Sequence, residues 1–386
     1  MTLPLRSPTT GAPLRQDTPH SLTDGRQRWP VVDEIAYLRT GRAELVRAAL
    51  ARLDGADEAG ALALLLADAD DWWDGAAPDP ADLRTLIADR DRLTLRDAMQ
   101  LLAYGRVADY FAHRWSDPTF LAGLALIEAH WADPGSAFEL ACGIGHYLRE
   151  LRLRGVAATG ADVVFSKLWL ARHWVVGPDA RLVCFDAAGP WPLDDVRADL
   201  VLCQDAFYFL EPKADVLRRL RDIAGPNGIL AIGHIHNRDA PNLSAGTGVT
   251  AAEIAALFPD GIVYDDDELT LAASAGCDPQ PRPPADLRSV EAFSVAAGPG
   301  LRRRSRAATG LLTLPPPGAR LRRNPLYAGG GASEGALAWP SERYRREYEP
   351  RATFPASSRL PAAMACTPAW TEAARRREVV ALPERW

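Results

Sequence analysis

The spacing of apolar residues along the chain changes character near residue 136. Before this point apolar residues recur three to four positions apart, which is typical of amphipathic helices. Asp79 followed by Pro80 marks one helix start, because aspartate caps a helix and proline suits its first turn. We predict two helices within residues 41–73 and further helices at 81–90, 94–104, 105–114 and 118–131.

After residue 136, short apolar runs alternate with segments of helical spacing. Thr250 and Glu253 form a capping box ahead of a helix at 250–258, and a late strand is predicted at 289–297. Strands that alternate with helices indicate an α/β fold with a mainly parallel sheet and helices on both faces. The predicted strands are 138–140, 156–161, 181–185, 198–203 and 228–235, and the helices between them are 146–154, 164–175 and 213–224.

The two ends of the chain differ from this core. Residues 1–40 are rich in turn-forming residues and predict hairpins, whereas the C-terminal part is rich in arginine and proline. Within that part, 339–348 predicts a short amphipathic helix or a turn at the surface, after an Arg cluster at 302–306 and a glycine run at 329–331. We divide the chain into a hairpin-rich module at 1–40, a helical cap at 41–114, an α/β domain at 115–298 and an irregular basic extension at 299–386.

Composition narrows the classes of protein to consider. The chain has 386 residues, 47% hydrophobic and 24% charged, which is typical of a globular protein of two or three domains. Its net charge of −6 does not indicate nucleic-acid binding, although residues 300–386 alone carry sixteen Arg, seven Glu and no Asp or Lys, a charge of +9. Five scattered cysteines and the lack of a long apolar run predict a cytoplasmic protein without disulfides or a membrane span.

A glycine turn lies at the start of the alternating region. Residues 138–147 read Phe-Glu-Leu-Ala-Cys-Gly-Ile-Gly-His-Tyr, and a helical pattern follows. Gly143 and Gly145 would let a ligand approach the backbone closely, because a Cβ atom would stand in its way. Strand, glycine turn and helix in this order predict the first unit of a nucleotide-binding, Rossmann-like sheet.

The order of motifs from this turn onward resembles the class I S-adenosylmethionine-dependent methyltransferases, closest to those that act on small molecules. Residues 139–145 resemble the family's first motif, with Ala141 where the family often has its first glycine. Asp162 and Asp186 each follow a strand, where the family's acids accept hydrogen bonds from the ribose hydroxyls and the adenine amino group. The resemblance implies S-adenosylmethionine as cofactor, bound by Glu139, Ala141, Gly143, Gly145, Asp162, Phe185, Asp186, Gln204 and Asp205. A nicotinamide site is the alternative, but its first glycine is missing.

Two further groups of residues are candidates for the reacting end of the site. Phe207 and Tyr208 follow the fourth strand and would be walls of the substrate site near the reactive methyl group. His234 and His236 alternate along the fifth strand, so both lie on one side of it. Either histidine could take a proton from the acceptor as the methyl group transfers, or be a core residue. With no Cys/Asp/His cluster evident in the sequence, we expect no metal.

The N-terminal segment has a looser resemblance, to the zinc-ribbon-like activator domain of some methyltransferases, on residues 5–14, 29–31 and 35–38. It lacks the cysteines that a metal-binding version would carry near Ser7, so we expect no metal here, and an irregular N-terminal arm is the alternative. The function these features imply is methyl transfer to a small-molecule acceptor, such as a metabolite, a sugar or a natural-product intermediate. The alternatives are an RNA or protein methyltransferase and a non-catalytic scaffold on the same fold. The basic extension could pack on the body of the protein or on a second copy in a homodimer.

Overall fold

The computed structural model describes residues 3–242, 245–301, 309–327 and 335–386. The predicted Arg cluster at 302–306 and glycine run at 329–331 lie outside these residues. The chain divides into two compact units. Unit 1 comprises Met1–Ala108, Ser136–Ala198 and Glu384–Trp386, and unit 2 comprises Asp109–Gly135 and Asp199–Pro383.

The first third of the chain forms short strands and then helices, as predicted. The start expected at Asp79 is confirmed, because its side chain accepts a hydrogen bond from the Ala81 N–H at 2.7 Å and Pro80 is the first helical residue. The strands are β1 (Arg15–Thr18), β2 (Ser21–Thr23), β3 (Arg28–Val32) and β4 (Ile35–Tyr37), and the helices are α1 (Ala43–Asp54), α2 (Glu58–Leu66), α3 (Pro80–Ala88), α4 (Leu95–Leu101), α5 (Arg106–His113) and α6 (Pro118–Ala129).

From residue 136 the predicted alternation of strands and helices is confirmed. The last turn of one helix widens into a π-helical segment at Ala171–Val175. The elements are β5 (Ser136–Leu140), α7 (His146–Arg152), β6 (Ala157–Asp162), α8 (Phe165–Leu170), β7 (Arg181–Cys184), β8 (Leu200–Gln204), α9 (Lys213–Ala224) and β9 (Ile229–His236).

The remaining elements are partly unexpected. The capping box of Thr250 and Glu253 is present, and the helix expected at 339–348 and the late strand are confirmed. The strand and the helix between the capped helix and the late strand were not predicted. The extension was predicted to be irregular, but it contains a small sheet of strand order β13-β12-β14. The elements are α10 (Ala251–Leu257), β10 (Ile262–Asp265), α11 (Asp266–Ala275), β11 (Ala292–Ala297), β12 (Arg320–Arg323), α12 (Glu342–Tyr348), β13 (Ala363–Ala365), α13 (Thr371–Arg375) and β14 (Val379–Val380).

The strands of unit 1 follow the order β1-β2-β3-β4-β7-β6-β5. The hairpin strands β1 to β4 pair antiparallel, whereas β4, β7, β6 and β5 pair in parallel. The N-terminal hairpins therefore extend the parallel sheet. Helix α7 packs on β5 and β6, and α8 packs on β4, β6 and β7. Tyr37, Phe165 and Trp169 are fully buried and form part of the core of this unit.

Residues 384–386 complete unit 1 from a distant part of the sequence. The Arg385 guanidinium donates hydrogen bonds to the carbonyl oxygens of Arg90 at 2.6 Å and His173 at 2.7 Å. Its own carbonyl accepts from the Leu95 N–H at 2.7 Å. The guanidinium also lies over the Trp174 ring, 5.0 Å from the ring centroid. These contacts satisfy backbone carbonyls that the loop after α3 and the π-helical segment leave without helical partners.

Unit 2 contains the strand order β8-β9-β11-β10, with β8 and β9 parallel and the other pairs antiparallel. Helix α6 packs on β9, β11 and α11. The buried Glu128 carboxylate of α6 accepts backbone hydrogen bonds from Gly310, Leu312 and Thr313, which fastens the start of the extension to this unit. The α/β class predicted from the sequence is confirmed. Among the described residues, no helix combines the length and the apolar character needed to span a membrane.

Candidate functional site

The glycine turn of unit 1 joins β5 to α7 and contains three residues with left-handed backbone. The φ angles are +54° at Ala141, +55° at Gly143 and +82° at Gly145. A left-handed φ costs an L-residue about 1–2 kcal/mol, so Ala141 is strained where glycine would not be. This agrees with the resemblance, which places a glycine at that position. A Cβ at Gly145 would also clash with the Val176 side chain, so glycine is required there on two grounds.

Asp162, at the end of β6, holds the glycine turn in place. One carboxylate oxygen accepts the Gly143 N–H at 2.9 Å, and the other accepts the Val164 N–H at 2.9 Å. The side chain is 5% exposed, and the Lys167 ammonium lies 3.9 Å away. The sequence suggested only a role toward ribose, whereas the structure gives this carboxylate a positioning role as well. Each oxygen retains a lone pair that could accept a further hydrogen bond.

The other predicted cofactor residues of unit 1 lie on the neighbouring strand ends. Glu139 is on β5 and is buried. Phe185 follows β7 and packs against Trp191, with ring centroids 5.5 Å apart. Asp186 caps the next turn, because its carboxylate accepts the Ala188 N–H at 2.9 Å.

Gln204 and Asp205, also predicted to bind the cofactor, belong to unit 2, where both side chains have hydrogen-bond partners within the protein. The Gln204 side-chain amide donates to the Ala231 carbonyl at 2.8 Å and lies against Gly233, so it ties β8 to β9. Asp205 follows β8 with a φ of +52°. Its carboxylate is the centre of a buried polar cluster. Phe207, the predicted wall of the substrate site, is fully buried and packs against Phe258, with ring centroids 6.3 Å apart.

Asp205 receives hydrogen bonds from several side chains of unit 2. The hydroxyls of Tyr110 and Tyr208 donate to its two oxygens at 2.7 and 2.8 Å, and an Arg114 nitrogen lies 3.2 Å from the first oxygen. Burial tends to raise the pKa of Asp205, but Arg114 and the two nearby histidines hold that pKa below its ordinary value. The carboxylate is therefore ionised at neutral pH.

His234 is fixed by a second carboxylate. Its Nδ1 lies 2.8 Å from Asp266, and the other oxygen of Asp266 accepts from the Ser294 hydroxyl at 2.7 Å. His234 has a φ of +51° and occupies a β-bulge, where Gly233 and His234 of β9 lie opposite the single residue Ser294 of β11. Burial tends to lower the pKa of His234, but Asp266 and Asp205 hold it above its ordinary value.

His236 lies beside His234, as the alternation predicted. The two ring centroids are 4.7 Å apart, and the Tyr208 ring is 4.5 Å from His236. Burial, with the neighbouring His234, lowers the pKa of His236 to about 3, so the imidazole is neutral at physiological pH. Its buried Nδ1 has no hydrogen-bond partner among the described residues.

The structure adds residues that the sequence analysis did not identify. Tyr110, Arg114 and Asp266 all contact the cluster, yet each is distant from it in sequence. Arg114 also lies 3.6 Å from Asp117, which the Tyr344 hydroxyl contacts from the extension. The sequence showed no Cys/Asp/His cluster, and this is corrected by the structure, because Asp205, His234 and His236 each offer a ligand atom within 4.8 Å of the others. The expectation that no metal is bound stays a prediction. The sequence did contain a signal for this cluster, namely a carboxylate at the end of one strand and two histidines on the next strand.

Comparison with known families agrees with this geometry. Residues 138–232, from β5 through most of β9, match the sequence model of a family described as a methyltransferase domain. This part of the chain thus matches a methyltransferase domain, in agreement with the resemblance to the class I S-adenosylmethionine-dependent methyltransferases and with S-adenosylmethionine as cofactor. Comparison with curated proteins gives no match.

Solved structures with a similar fold include three methyltransferases. CalS10, an amino pentose methyltransferase from Micromonospora echinaspora, is 24% identical with a TM-score of 0.27, over 32% of this chain and 52% of that chain. A TehB-like methyltransferase from Corynebacterium glutamicum is 19% identical with a TM-score of 0.32, over 45% and 85% of the two chains. Phosphoethanolamine N-methyltransferase 2 from Haemonchus contortus is 16% identical with a TM-score of 0.38, over 54% and 60%. The match thus spans about half the length of the first of these proteins.

Proposed function

We propose that the protein transfers the methyl group of S-adenosylmethionine to an oxygen, nitrogen or carbon atom of a small-molecule acceptor. The observation that carries this proposal is the buried polar cluster of unit 2 in a chain that has a methyltransferase domain. The side chains of Asp205 and His234 are only 8% and 5% exposed, and His236 is 6% exposed. Such a cluster suits a small acceptor, which reaches buried groups more readily than the surface of a folded macromolecule does.

The glycine turn of unit 1 is the proposed cofactor site. Three of its residues have left-handed backbone, and the Asp162 carboxylate holds the turn by accepting the Gly143 N–H. We assign Glu139, Asp162 and Asp186 as the acids that contact the cofactor, with Phe185 beside the adenine. Gln204 is left out of this set, because its amide is engaged with β9.

His236, His234 and Tyr208 are the proposed contacts of the acceptor. Methyl transfer depends mainly on holding the nucleophile in line with the sulfonium, and the cluster offers several groups for that purpose. His236 is neutral and can accept a hydrogen bond from an acceptor hydroxyl or amine. A base within such reach typically contributes a factor of about 10² to 10⁴ in rate.

Calorimetric titration with S-adenosylmethionine and S-adenosylhomocysteine tests the cofactor half of the proposal. Release of S-adenosylhomocysteine during incubation with sugars, hydroxylated and amino-bearing metabolites, and RNA then tests the acceptor half. We expect micromolar cofactor binding and turnover with at least one small molecule, reduced more than tenfold in His236→Gln. Turnover on RNA alone, weakened by salt, would instead support the RNA methyltransferase alternative. Absence of cofactor binding would leave the non-catalytic scaffold.

A further inference from the structure

The cluster around Asp205 has the donor set of a metal site. His234 Nε2 lies 3.9 Å from Asp205 Oδ1, and the ligand atoms of Asp205, His234 and His236 all lie within 4.8 Å of one another. Ligands that sit about 2.0–2.2 Å from a tetrahedral zinc ion are roughly 3.4 Å apart. Small side-chain rotations would therefore bring the three atoms to bonding distance of one ion.

Asp266 supplies the outer contact that a histidine ligand normally needs. Histidines that bind a metal through one ring nitrogen usually donate the proton of the other to a carboxylate or carbonyl. His234 meets this condition, because its Nδ1 lies 2.8 Å from Asp266 and its Nε2 is directed toward Asp205. The Ser294 hydroxyl holds Asp266 in turn at 2.7 Å. His234 is thus already oriented for coordination.

His236 provides the independent observation that points to a ligand. The residue is 6% exposed, and its Nδ1 has no hydrogen-bond partner among the described residues. A buried polar atom without a partner costs about 1–3 kcal/mol. The Nδ1 of His130 also lacks a partner among the described residues, but His236 lies in a group of possible ligand atoms as well. Imidazole nitrogen binds zinc and similar ions well, and an ion in the cluster would give His236 the partner it lacks.

The charges around the cluster include two that oppose a positive ion. Arg114 lies 3.2 Å from Asp205, and Arg351 also acts on both histidines but is paired with Glu291 at 2.9 Å. Asp205 and Asp266 together carry two negative charges, and the tyrosine hydroxyls on Asp205 donate to it without using all of its lone pairs. Mg²⁺ prefers oxygen ligands, whereas two imidazoles and one carboxylate suit Zn²⁺, Fe²⁺, Co²⁺ or Ni²⁺.

We propose that Asp205, His234 and His236 bind a divalent transition-metal ion, with Asp266 as the positioning residue for His234. Three protein ligands leave at least one coordination position open, as in catalytic and not in structural zinc sites. The open position would take a small ligand with an oxygen or nitrogen donor. The site shares His234 and His236 with the proposed acceptor contacts, so with an ion bound the acceptor would take the open position instead of a hydrogen bond to His236. Metal binding itself can be measured without the acceptor.

Metal binding to the full chain tests the proposal directly. The protein is freed of metal with a chelator and then titrated with Zn²⁺, Co²⁺, Mn²⁺ and Mg²⁺ by calorimetry, and the Co²⁺ complex is examined by absorption spectroscopy. We expect one Zn²⁺ or Co²⁺ per chain with a micromolar or lower Kd, and cobalt d–d bands of a nitrogen- and oxygen-ligated ion. Binding of Mg²⁺ in preference to Zn²⁺, or no binding at 100 μM of any of these ions, would overturn the assignment.

Variants locate the ion. Asp205→Asn and His236→Gln should abolish stoichiometric binding, and Asp266→Asn should weaken it about 10- to 100-fold, as is typical for an outer contact. His20→Ala is the matched control, because His20 also pairs with an aspartate, Asp54 at 3.0 Å, but has no second histidine beside it. Binding that survives in Asp205→Asn and His236→Gln would overturn the proposal. If either variant fails to fold by circular dichroism, the cobalt spectrum of the wild-type protein decides, and a spectrum without imidazole ligation refutes the site.

Discussion

Replacing Asp162 with asparagine should separate two roles that this side chain could have. Each oxygen of the carboxylate accepts one backbone N–H at 2.9 Å, from Gly143 and Val164. Hydrogen bonds to a charged acceptor contribute about 1.5–3 kcal/mol each, and the side chain is 5% exposed, so solvent screens them little. Asparagine keeps one acceptor and places an NH₂ group against the second N–H. We therefore expect the free energy of unfolding to fall by about 1.5–3 kcal/mol.

Urea denaturation and cofactor calorimetry on the same variant provide the assay. Because the turn would lose its anchor, the Kd for S-adenosylmethionine should rise at least tenfold along with the loss of stability. Asp79→Asn is the control, since asparagine caps a helix about as well as aspartate and the stability should change little. If Asp162→Asn weakens cofactor binding but leaves the free energy of unfolding unchanged, the carboxylate acts on the ribose alone and the positioning role is refuted.

Two further predictions concern stability. Ala141→Gly should raise the free energy of unfolding by about 1 kcal/mol in urea denaturation, because it relieves the strain of a φ of +54°. Ala103→Gly, at a φ of +55°, should have the same effect. A fall in the free energy of unfolding in both variants would contradict the strain argument. Burial lowers the pKa of His130 to about 4, so its contribution to stability is complete above about pH 6.5 and is lost as the pH falls toward 4. His130→Gln keeps an acceptor for the Tyr264 hydroxyl and should flatten the pH profile over this range; parallel profiles for variant and wild type would count against this assignment.

The strands and helices between residues 136 and 236 were predictable because their signals are local. A run of apolar residues of strand length, a glycine turn, or the capping box at Thr250 and Glu253 can each be identified within a few residues. The small strands of the extension were missed for the opposite reason. β12 is Arg-Leu-Arg-Arg, and β14 contains two residues, so neither shows the alternation of a half-buried strand.

The candidate site also contains residues that were predictable from local signals and residues that were not. The glycine turn and the acids after β6 and β7 follow from motif order along the chain. The cluster around Asp205 does not, because Tyr110 is 95 residues from it and Asp266 is 32 residues from His234. The β-bulge at His234 also leaves no clear sequence signal, because it arises from the pairing of β9 with β11. Such groups meet only when the fold brings distant segments together.

The origin of unit 1 from separated segments has a consequence for how the protein folds. The sheet strands of this unit have all been synthesised by residue 198, yet Arg385 and its neighbours are translated 186 or more residues later. A nascent chain on the ribosome could form the sheet early, but the carbonyls of Arg90 and His173 would await their guanidinium partner. Contacts of such long sequence separation form slowly, because loop closure costs entropy before the contact is gained. Unit 1 should therefore reach its final stability only after unit 2 has been synthesised.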